Sequence, residues 1–88
     1  MSTLQPPFTK EFPADSLEKQ VYSIVENYKE YLPIDNDRNR LSFYLYKYMI
    51  NEGEPPLMSI PYSKVLLNGI TKEALAEKLD ADLEKIRK

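Results

Sequence analysis

The 88-residue chain is enough for one domain, near the lower end of what a single hydrophobic core supports unaided. It has no cysteine and no histidine, which excludes disulfides and thiolate metal sites and removes the commonest general base and metal ligand. A formal net charge of −2 gives no global attraction to nucleic acid or to an anionic membrane surface. No apolar run resembles a secretory signal or a membrane span, so a cytoplasmic protein with no membrane partner is expected.

In chain order, residues 1–13 carry Pro6, Pro7 and Pro13 and neither a helical nor a strand period. They are expected to form an extended tail, with Phe8 and Phe12 available to touch a folded domain over residues 14–88. Asp15 and Glu18 have the spacing of a helix N-cap and its reciprocal partner. Leu17, Val21, Ile24, Val25, Tyr28, Tyr31 and Leu32 then recur at three- and four-residue intervals, predicting an amphipathic helix that Pro33 stops.

The stretch "LSFYLYKYMI" (residues 41–50) fits both periods on its apolar residues alone. Its flanks favour a helix. Asp35, Asn36 and Asp37 offer N-caps upstream, and Gly53 followed by prolines offers a stop downstream. A strand would also need a partner strand, and no other segment reads as one. Such a helix is apolar on most of its circumference, and Tyr44, Tyr46 and Tyr48 spread around it rather than forming a platform.

"EPPLMSIPY" reads as a stiff connector whose Leu57, Met58 and Ile60 plug gaps in the core, with a short helix starting at Pro61 and ending at Asn68-Gly69. Thr71 caps a last segment in which Leu75, Ala76, Leu79, Leu83 and Ile86 form an apolar stripe. The fold expected is all-α: an irregular bundle of three longer helices and one short helix behind an extended tail.

Residues 63–88, "SKVLLNGITKEALAEKLDADLEKIRK", are similar to a helix-turn-helix in the placing of Thr71, Leu75, Ala76, Leu79, Ala81 and Ile86. The resemblance implies a DNA-binding regulator in which Lys85, Arg87 and Lys88 face the nucleic acid. The sequence departs from that pattern at Asp80, where the bend usually takes glycine, and at Asp82 and Glu84, which bring negative charge toward phosphates. Over residues 71–88 five basic side chains are balanced by five acidic ones, whereas phosphate neutralisation supplies much of a DNA reader's affinity. One continuous helix accounts for the same stripe, and a nucleic-acid partner is not the leading expectation.

No catalytic residue, cofactor or metal ligand set is read from the chain. No Ser, Thr, Lys or Asp sits in a recognisable activating arrangement, and "DNDRN" lacks the glycine and distal glutamate of a calcium loop. Seven tyrosines are the unusual feature of the composition. Most serve to bridge core and surface, but tyrosine also favours protein interfaces. Tyr22, beside the main stripe of the first helix, and Tyr46, on the second face of the central one, are the candidates. The function expected is therefore non-enzymatic: a small interaction module that binds another protein, or itself, through apolar and tyrosine surface.

Overall fold

A computed structural model describes residues 13–87. The expected tail lies outside them except for Pro13, which is exposed and in no regular element. The described residues form four α-helices and no strand: α1 (Leu17–Glu26), α2 (Asp35–Met49), α3 (Pro56–Ser63) and α4 (Lys72–Ile86). The fold is all-α, with α3 the short member.

Ser16, rather than Asp15, caps α1, its Oγ accepting from the Lys19 amide at 3.1 Å. The helix ends at Glu26 instead of running to Pro33. Tight turns follow, the amides of Tyr28, Lys29 and Tyr31 donating three residues back to the carbonyls of Val25, Glu26 and Tyr28. The Asn68 amide donates to the Tyr31 carbonyl (2.9 Å), and Arg38 Nη1 to that of Leu32 (2.5 Å). Tyr28, Tyr31 and Leu32 still reach the core, as their spacing predicts, but from a turn.

None of Asp35, Asn36 and Asp37 caps α2; Ile34 stands at the N-cap without a side-chain bond. The two aspartates sit inside the first turn, where they face the positive end of the helix dipole. Within residues 41–50, Leu41, Ser42 and Leu45 are buried and the others half-buried, so this stretch is partly covered on all sides. Its stop is Asn51 (φ 64°), not Gly53. The amides of Asn51 and Glu52 close it by donating to the carbonyls of Tyr48 (3.0 Å) and Lys47 (2.8 Å). Gly53 serves a close approach instead: a Cβ there would lie 2.8 Å from Lys47 Cβ and 3.0 Å from the Tyr48 nitrogen.

The expected connector "EPPLMSIPY" is helical. Pro56, not Pro61, is the first helical residue, and Pro61 lies inside α3, with no N–H to give the Leu57 carbonyl. The helix closes at Lys64 (φ 55°), so Val65, Leu66 and Leu67 fall in a loop rather than in a helix. Thr71 caps α4 as expected, accepting from the Ala74 amide at 3.1 Å. That helix then runs unbroken through Asp80.

The helices pack in a closed ring, each against two neighbours: α1 on α2, α2 on α3, α3 on α4 and α4 on α1. Val21, Val25, Leu41, Leu45, Leu75, Leu79 and Leu83 are fully enclosed at its centre. The smallest dimension of 21 Å accommodates about two helix diameters. Three polar ties hold the ring. Arg38, almost wholly buried, joins Glu26 (2.7 Å), the Leu32 carbonyl and Asp35. Buried Asp37 accepts from the Leu66 amide at 2.9 Å, fastening the loop before α4. The Tyr28 hydroxyl donates to Asp82 on α4.

Candidate functional site

The two faces of α3 are filled in an unusual way. Pro56, Ser59, Ile60 and Ser63 are buried, while Leu57, Met58, Pro61 and Tyr62 are exposed. Two serines therefore occupy the inward face while the helix's leucine, methionine and tyrosine face solvent. The serine hydroxyls are satisfied locally, Ser59 Oγ donating to the Glu54 carbonyl (2.6 Å) and Ser63 Oγ to that of Ile60 (2.8 Å). Small inward side chains let α3 lie close to its neighbours, and hydrogen bonding removes the penalty of burying them. The outward residues have no such structural explanation. Leu57, Met58 and Tyr62 are 45, 48 and 61% exposed, and Leu66, just beyond the helix, is 56% exposed. Met58 and Tyr62, four residues apart, form one ridge on the helix surface, and Leu57 and Pro61 the next.

A cleft flanks this helix on each side. Between α3 and α4 lies an open groove of about 570 Å³, its floor made by Pro55, Pro56, Leu57, Ala74 and Ala76 and its wall by Glu73, Glu77 and Asp80. On the α2 side a cleft of about 300 Å³ is lined by Phe43, Tyr44, Tyr62, Lys47, Glu52 and Glu54. Phe43 and Tyr44 meet at 5.8 Å between ring centroids, and the Lys47 ammonium lies 5.6 Å from the Phe43 ring.

Tyr22 and Tyr46 are half-buried and lie outside this exposed cluster. Burial, reinforced by the charge of Glu26, raises the pKa of Tyr22, and the Lys19 ammonium sits 5.3 Å from its ring. Tyr46 packs against the core, and burial, then the charge of Glu18, raises its pKa. The structure does not bring Tyr22 or Tyr46 into the α3 clefts. Sequence reasoning missed Leu57 and Met58 as surface residues by assigning them to the core. The available signal was "PLMSIPYS" itself, in which serines recur four residues apart on one face and large apolar residues occupy the other.

The bend that the helix-turn-helix resemblance implies at Asp80 is absent from α4. A recognition helix needs a bend at Asp80, and α4 passes straight through it because Leu79 and Leu83, one turn apart, both belong in the core. Lys85 pairs with Asp82 (3.8 Å), and Arg87 lies 3.3 Å from Glu84 and over the Tyr48 ring. Lys88 lies outside the described residues. Among the described residues no group of three potential metal ligands forms, and no helix is long and apolar enough to cross a membrane. No family model, curated protein or solved structure matches the chain.

Proposed function

We propose that this chain is a non-enzymatic interaction module, acting in the cytoplasm, whose binding surface is the outward face of α3. The observation that carries the reading is the filling of that helix, with two serines among its four buried residues and Leu57, Met58 and Tyr62 outward. Scattered exposed apolar residues are ordinary on any protein, but a contiguous set marks a surface that another molecule covers. Four of the five large hydrophobics exposed on the described residues fall between Leu57 and Leu66. Leu57 also borders the α3–α4 groove and Tyr62 the α2–α3 cleft, so a partner on α3 gains both recesses. The mechanism is burial of these anchors within a charged rim. Tyr22 and Tyr46, half-buried beside carboxylates, are secondary to this surface.

A photo-crosslinking phenylalanine analogue at position 62 tests this, with the same analogue at the exposed position 78 of α4 as control. The expected result is a discrete adduct from position 62, lost when Leu57 and Met58 are changed to serine. No adduct at position 62, or the same adducts from both positions, would contradict the reading.

A further inference from the structure

The α3–α4 groove has one sign of charge. Glu73, Glu77 and Asp80 form its wall, and among the described residues no lysine or arginine lines it. All three are exposed and none makes an ion pair among the described residues, unlike Glu26, Asp35, Asp37, Glu52, Asp82 and Glu84. Their spacing of four and then three residues puts them on one face of α4, spread over about 10 Å of its axis. Beside that stripe the floor is apolar and continuous with exposed Leu57. The recess thus combines an apolar seat with a line of free carboxylates along one edge.

We propose that the occupant of this groove is a basic amphipathic helix of another protein, its apolar face on Pro55, Leu57 and Ala74 and its lysines or arginines against Glu73, Glu77 and Asp80. The inference rests on the reading of α3 as a binding surface and adds the partner's chemistry. A trough between two packed helices is the shape a third helix fills by setting its ridges into the groove. Cations at i, i+4 and i+7 on that helix repeat the rise of the carboxylate stripe. An acidic helix would meet like charge along the whole wall, so the groove discriminates by sign as well as by shape.

The test uses the full chain and two fluorescently labelled synthetic peptides of about 18 residues, long enough to hold a helix. One is a leucine–lysine amphipathic helix; the other has glutamate in place of every lysine. Anisotropy titration is expected to show the basic peptide binding about tenfold or more tighter than the acidic one, weakening severalfold between about 0.05 and about 0.5 M salt. The double variant Glu77→Lys, Asp80→Lys should lose about tenfold in affinity, and Leu57→Ser should also weaken binding. The variant Asp15→Lys, Glu30→Lys makes the same change in net charge away from the groove and should bind as the parent does. Equal affinity for both peptides, or equal losses from the two double variants, would overturn the proposal. So would sedimentation showing a dimer that Leu57→Ser dissociates, because the occupant would then be a second copy. If neither peptide binds but position 62 still crosslinks, the basic partner falls and the interface reading stands. If both fail, both fall.

Discussion

Arg38 shows how much structure a single side chain can hold in a small helical ring. Its guanidinium reaches α1 through Glu26, the turn after α1 through the Leu32 carbonyl, and its own helix through Asp35. A planar fork suits three acceptors at fixed angles, which a lysine ammonium on a flexible stem does not match. Arg38→Met should destabilise the fold by about 3 kcal/mol, because it leaves the Leu32 carbonyl without a partner and removes the cation from a largely covered Glu26. Urea denaturation reads this as a lower midpoint at unchanged slope. Tyr28 makes a second tie with a distinct pH signature. Burial, then its bond to Asp82, raises its pKa from 10.0 to about 12. Since the folded-state value is the higher one, the contribution is complete below pH 10 and disappears as pH rises through about 12. Between those values the parent should lose more stability than Tyr28→Phe does, so the gap between the two narrows. A constant gap across that window would show that folding does not raise the Tyr28 pKa.

At the scale of the helix, ends are set by backbone geometry that residue type only partly announces. Gly53 and Asn51 illustrate it. Both can take a left-handed conformation, and it is Asn51 that does so, leaving Gly53 to lie against the last turn of α2. Gly53→Ala should therefore cost about 1–3 kcal/mol through overlap with Lys47 and Tyr48, in spite of its unremarkable place in a loop. Thermal unfolding checks this, and an unchanged melting temperature would mean that the loop relaxes freely. The helices with a clear period were legible in advance. The start of α1 to within a residue, the body of α2 and the whole of α4 with its Thr71 cap follow from spacing and capping chemistry. What was not legible depended on distant groups. Beyond the early end of α1, the turn is fastened by Asn68 and Arg38 on the carbonyls of Tyr31 and Leu32, partners that lie outside any local window. The extent of α3 was hidden by Pro61, which reads as a helix start although it lies inside the helix. The candidate site suffered most, because large apolar residues are assigned inward by default, and on α3 that default fails.

For the molecule as a whole, the core and the proposed binding surface are built from separate residues. α1, α2 and α4 supply nearly all the enclosed aliphatic side chains, while α3 gives the core only Ile60 among its larger aliphatic side chains. With a thickness of about two helices, the described residues have no further layer over the outside of α3. Leu57, Met58 and Tyr62 are thus surplus to folding, as the proposed binding surface requires. The measurement that tests this most directly is the unfolding free energy of the triple variant Leu57→Ser, Met58→Ser, Tyr62→Ser beside that of the parent chain. The expected difference is within about 1 kcal/mol, since exposed side chains away from caps and ties contribute little to stability. A loss of several kcal/mol would contradict it, because it would show that these three side chains are covered within the folded chain and that the outward face of α3 is part of its core.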